Sequence, residues 1–127
     1  MDARKEAVID DYEQAMALME RMEERLPIPA RPIGALVRTL RQGGVKLDRD
    51  RELQIKRVFY GGDEGGILCD VTPPDLVKTP IICSLTHLRV SARHTLAQEI
   101  RTYQRERANK LSRPGRKSTS FSAKLKR

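Results

Sequence analysis

The chain has 127 residues, 25 Lys and Arg against 17 Asp and Glu, a formal charge of +8 and no Trp. That length suits one ordinary domain with a modest core. It excludes a TIM barrel or a two-domain dinucleotide enzyme, which need far more chain.

The composition, 39% hydrophobic, 33% charged and 4% aromatic, describes a wet surface around a small aliphatic core. A first helix is predicted over residues 3–25. Val8, Tyr12, Ala15, Met19, Met22 and Leu26 recur four and three residues apart, flanked by Asp11, Glu13, Glu20, Glu23 and Glu24. This heptad seam, broadened by Ile9 and Met16, fits a core stripe against a sheet or a pairing with a second copy. The Pro-rich run 27–32 ends the helix, since proline forbids continuation. A second helix starts near Pro32, with Ile33, Leu36, Val37 and Leu40 on one side and Gly43-Gly44 as its stop.

The apolar period then changes to two. Leu53 and Ile55 share a face, as do Val58 and Tyr60, and the pairs are out of phase across Lys56-Arg57. A β-bulge there brings all four to one side. A glycine-rich turn leads to a second strand over residues 67–71, and a loop leads to a third over 80–85. Centring that loop near Asp75 and Leu76 sets Ile67 opposite Leu85, Cys69 opposite Cys83 and Val71 opposite Ile81. All six are apolar or thiol, so that face is core. The other face carries Phe59, Leu68 and Ile82, but also Asp70 and Ser84, and is half apolar. Thr95 and Gln98 match a capping box for a last helix bearing Leu96, Ile100, Tyr103 and Leu111, interrupted by Arg107.

The expected fold is α+β: two N-terminal helices, a three-stranded antiparallel β-meander, a C-terminal helix and a basic disordered tail. Residues 1–111 form one small domain and 112–127 a flexible basic tail, where Pro114-Gly115 breaks the helix and apolar residues are too few to offset ordering entropy.

The charge is uneven. Residues 105–127 hold nine basic groups against the single acid Glu106 and so account for the whole +8. Residues 1–26 are net −4 and residues 27–104 net +4. Arg105, Arg107, Lys110, Arg113, Arg116, Lys117, Lys124, Lys126 and Arg127 are therefore the expected nucleic-acid contacts, binding DNA or RNA phosphates without reading sequence. Phe121 is the single aromatic among them, so base stacking is minor. The six-residue connection with three prolines is too long and stiff for a helix-turn-helix.

Four strings bear on chemistry. Gly61, Gly62, Asp63, Glu64, Gly65 and Gly66 form a glycine loop with two carboxylates suited to Mg²⁺ or to a plain hairpin turn. Gly61 to Glu64 resembles in part the Gly-Gly-[Asp/Glu]-Glu-Phe hairpin of diguanylate cyclases. Gly65 replaces the Phe, and the chain has no room for that family's longer domain or its upstream metal-binding acid. Cys69, Cys83, His87 and His94 are a valid zinc donor set but lack the usual close Cys pair, and the register turns both thiols inward. His87 and Arg89, with Asp63 and Glu64, are the residues an enzyme here would use, although no Gly-x-Ser-x-Gly elbow or P-loop exists. Tyr12, Met19, Met22, Phe59, Leu68 and Ile82 are the candidate interface, on the helical seam or the half-apolar sheet face.

No apolar run is long enough to span a membrane, the N-terminus lacks an apolar signal core, and two cysteines fit free thiols in a reducing cytoplasm. The expectation is a small cytoplasmic binding module, non-enzymatic, with no cofactor and non-specific affinity for DNA or RNA, a homodimer being one state open to it. The alternatives are a protein–protein adaptor assembling through the first helix or the sheet face, and a small metal-dependent hydrolase around His87 and the glycine loop.

Overall fold

The proline-rich run after the first helix is a strand, not an irregular linker. In the computed structural model, which describes residues 9–112 apart from Val77, Ile28–Pro32 forms β1 with Ile28, Ala30 and Pro32 buried and Pro29 and Arg31 exposed. Two prolines in a strand flanked on both sides is unusual, because proline cannot donate to a ladder. Staggered pairing resolves this. Residues 28–30 pair with β2 (Leu53–Ile55) and residues 30–32 with β6 (Leu88–Val90), so only Ala30 has a partner on each side. Pro29 and Pro32 each keep one open side for the missing N–H.

The expected three-stranded meander is present as β3 (Arg57–Tyr60), β4 (Ile67–Asp70) and β5 (Ile82–Ser84). It is one of two antiparallel three-stranded sheets, in orders β2-β1-β6 and β3-β4-β5. Lys56 alone separates β2 from β3, and a 3₁₀ turn, Leu85–His87, separates β5 from β6. The chain therefore crosses from one sheet to the other twice, between β2 and β3 and between β5 and β6. The expected irregularity at Lys56-Arg57 is this passage between sheets, and Leu53, Ile55 and Val58 are all buried despite the change of phase. The Lys56 N–H donates to Asp70 O at 2.9 Å, so pairing persists through the bend. Cys69 lies opposite Cys83, and the Val71 N–H donates to Ile81 O, as the symmetry argument requires. Ile67, Cys69, Val71, Ile81, Cys83 and Leu85 all enter one core cluster that draws on both sheets.

Three α-helices among the described residues contribute side chains to the same core as the two sheets. Helix α1, Tyr12–Glu23, begins after Asp11, whose carboxylate accepts the Gln14 N–H at 3.2 Å; residues 3–8 of the predicted helix lie outside the described set. Its buried stripe is Ala15, Leu18 and Met22. The predicted seam was rotated: Tyr12 is 46% exposed and Met19 only half-buried, because the helix rests against β3 and the last helix rather than on a parallel neighbour. Helix α2, Gly34–Gln42, buries Leu36 and Val37, and Gly44 stops it at φ +90, a conformation glycine adopts freely.

Helix α3, Ala97–Leu111, departs from the expected capping box. Its cap is Leu96, with no side-chain bond, and Thr95 is not used. Instead the Leu96 N–H donates to His94 Nδ1 at 3.0 Å, so the histidine takes the acceptor role. Gln104 Nε2 donates to Leu85 O at 2.7 Å and Leu88 O at 2.8 Å, docking α3 on the 3₁₀ turn and β6. No helix among the described residues is long and apolar enough to cross a membrane.

Candidate functional site

The apolar side of α3 carries one cation, Arg107, which is only 2% exposed. Its Nη1 donates to Asp10 Oδ1 at 2.9 Å and its Nη2 to the main-chain oxygen of Asp63 at 2.7 Å. Asp10, itself 4% exposed, accepts two phenol hydroxyls on Oδ2, from Tyr103 at 2.8 Å and Tyr60 at 3.2 Å. The Tyr103 oxygen in turn accepts the Ile67 N–H at 2.9 Å, and the Asp63 carboxylate accepts the Ile9 N–H at 2.8 Å. Burying a charge without a partner is prohibitive, and this carboxylate is surrounded by three donors. Arg107 Nε is the one buried polar side-chain atom among the described residues without a partner.

Burial, reinforced by the Asp10 charge, pushes both tyrosine hydroxyls far above their ordinary range, so they remain donors. Asp10 therefore accepts three donors, one on Oδ1 and two on Oδ2. The cluster is a polar knot tying the N-terminal segment, the glycine turn and α3 together.

The glycine loop belongs to this knot. Gly62–Glu64 is a 3₁₀ turn between β3 and β4, with Gly62 at φ +72 and Gly66 at φ +64. A Cβ on Gly66 would collide with the Tyr103 hydroxyl and sit 2.8 Å from Asp10 Oδ2. Asp63 Oδ1 accepts the Ile9 N–H, which ties this carboxylate of the loop to the N-terminal segment. No three His, Cys, Asp or Glu side chains among the described residues are grouped to hold a metal.

The zinc set disperses likewise. Cys69 and Cys83 are free, buried thiols; burial pushes Cys83 up to about 12 and, with the neighbouring Cys83, raises Cys69 further. Neither forms a thiolate readily. His94 caps α3. Desolvation, with the nearby Arg107 charge, holds the half-buried His87 imidazole below its ordinary value of 6.5.

That shift fixes a pH dependence. A depressed native pKa means the unfolded chain binds the extra proton first. The His87 contribution is thus present above pH 6.5 and shrinks as pH falls through the native value. Denaturant midpoints across this range are expected to fall less steeply for H87Q than for wild type. Equal acid slopes would refute this.

Arg89 lies elsewhere. It is exposed on β6 directly opposite Arg31 of β1, and both line an open concavity of about 720 Å³ with Arg101 of α3. His87, Asp63 and Glu64 are not among its lining residues. Arg101 and Arg105, one helical turn apart, line an adjoining smaller concavity. None of these arginines has an ion-pair partner among the described residues, whereas Arg21, Arg51, Arg57 and Arg107 pair with Glu99, Asp75, Asp70 and Asp10.

Arg107 must leave the proposed nucleic-acid contacts, because it is buried and paired. Arg105 is exposed and Lys110 half-buried; Arg113, Arg116, Lys117, Lys124, Lys126 and Arg127 lie outside the described residues. Met22 must leave the proposed interface, being fully buried. Ile82 is 46% exposed, while Phe59 and Leu68 are half-buried, Phe59 lying 5.9 Å beneath the Arg57 guanidinium.

Sequence reasoning missed Asp10, Tyr60 and Tyr103 as a unit. The available signal was Arg107, a lone cation in line with Ile100 and Tyr103 on an apolar helical face. No protein-family model matches the chain, and neither a curated protein nor a solved structure is similar to it.

Proposed function

We propose that the protein is a small binding module, without enzymatic activity, that holds nucleic acid electrostatically through its basic C-terminal end. The supporting observation is a pair of exposed arginines on α3. Arg101 and Arg105 stand exposed and unpaired among the described residues, on the helix that leads into the basic segment. The exposed carboxylates Asp11, Glu13, Glu20, Glu23 and Glu24 belong to α1 and its ends. Arg101 and Arg105 offer a phosphate backbone exposed cations on the folded body, next to the basic segment that follows in sequence. The reading is supported further by the lack of a grouped metal-donor set among the described residues.

Deleting residues 112–127 removes six Lys and Arg side chains. If all six meet duplex phosphates, the slope of log affinity against log salt loses about 5. Fluorescence anisotropy with a 20-base-pair DNA across a salt series is expected to show that loss, with thermal stability unchanged. Equal affinity of full-length and truncated protein at low salt would overturn the reading.

A further inference from the structure

Two arginines face each other across the solvent side of β1 and β6. Arg31 and Arg89 are register partners in the antiparallel ladder, and like charges placed directly opposite are destabilising. Arg101 adds a third guanidinium to the same concavity from α3. The lining includes one carboxylate, Glu52, which leaves a net charge of +2, and the hydroxyl-bearing residues Thr86 and Ser91. None of the three arginines is paired with an acid, although the body supplies carboxylates to Arg21, Arg51, Arg57 and Arg107.

A guanidinium presents its N–H groups in a planar fork that matches the oxygens of a phosphate two at a time. Three such forks from two strands and a helix line one concavity, where a bound anion or water offsets their mutual repulsion. We infer that Arg31, Arg89 and Arg101 form a phosphate-binding clamp on the folded body. The ligand chemistry is a tetrahedral phosphate oxyanion, carried either by a nucleic-acid backbone or by a free phosphate compound. The clamp stands on the folded residues alone and does not rest on the basic tail.

The clamp has an unusual signature. Without anion, removing one arginine relieves the cross-strand repulsion, so R89Q is expected to melt higher than wild type. With anion, the same variant loses ligand. The full-length protein, R31Q, R89Q and R101Q are compared by thermal melting in chloride buffer of fixed ionic strength, with and without inorganic phosphate. They are compared again with a 20-nucleotide single-stranded DNA. R25Q serves as the control, since Arg25 is exposed, lies outside the concavity and carries the same charge.

Phosphate or DNA is expected to raise the melting temperature of wild type and R25Q. Loss of one bidentate guanidinium weakens that binding about tenfold in each clamp variant. An effect with free phosphate assigns the site to a phosphate compound; an effect with DNA alone assigns it to the backbone. Equal anion-induced shifts in R25Q and the clamp variants would overturn the inference, as would no shift in wild type with either probe. Deleting residues 112–127 tests the tail separately, because a working clamp keeps its phosphate shift in the truncated chain.

Discussion

Truncating Arg107 to alanine is expected to cost about 3–5 kcal/mol of folding stability, the range for breaking a buried ion pair. The loss is not the energy of one bond. Asp10 would remain 4% exposed with two phenol donors and no counter-charge, and Asp63 O would lose its 2.7 Å donor. Typical domains have about 5–15 kcal/mol in total, so R107A stands near the limit of folding. R107K keeps the charge but not the fork, and should fall between R107A and wild type. The double variant D10L/R107M removes both charges but leaves the Tyr60 and Tyr103 hydroxyls and Asp63 O without these partners, so it should recover only part of the loss. Urea denaturation of the four proteins measures each step. An R107A midpoint equal to wild type would show that the knot adds no stability.

The second large effect is expected at Gly66. In G66A the new Cβ meets the Tyr103 hydroxyl, Asp10 Oδ2 at 2.8 Å and Arg107 Nη1 at 3.0 Å, on a backbone at φ +64. The left-handed conformation alone costs about 1–2 kcal/mol for a residue with a side chain. Displacing a buried carboxylate and its partners brings the total to about 3–5 kcal/mol. Gly62 separates the two contributions. It also has positive φ, at +72, but nothing lies within 4 Å of its Cβ position. G62A should therefore lose only the conformational part. Similar losses for G62A and G66A would refute the collision argument.

The two lesions meet in one place because the knot joins parts of the chain that no local signal connects. Asp10 and Arg107 are separated by 97 positions, and Asp63 lies between them. A sequence shows Arg107 only as an interruption of an apolar helical stripe, which is why it was counted with the basic tail. Its burial is decided by where β3, β4 and the residues before α1 come to rest. The same holds for the arginine clamp. Arg31 sits in a run that reads as a proline linker, and becomes a partner of Arg89 only when β1 pairs with β6.

Local periodicity was enough for the three helices, the alternation of β3, β4 and β5 and the facing of Cys69 and Cys83, because each depends on residues close in sequence or on one short loop. It was also enough to place the excess charge at the C-terminal end. Tertiary structure alone decided that residues 28–32 form a strand, that the strands divide between two sheets, and which charges are buried or left unpaired. Proline's missing N–H argues against a strand until staggered partners give it an open side. A charge has no fixed role until the fold sets its distance from the opposite sign. The basic end could be read from composition; the separation of a buried structural arginine from exposed, unpaired ones required the packed molecule.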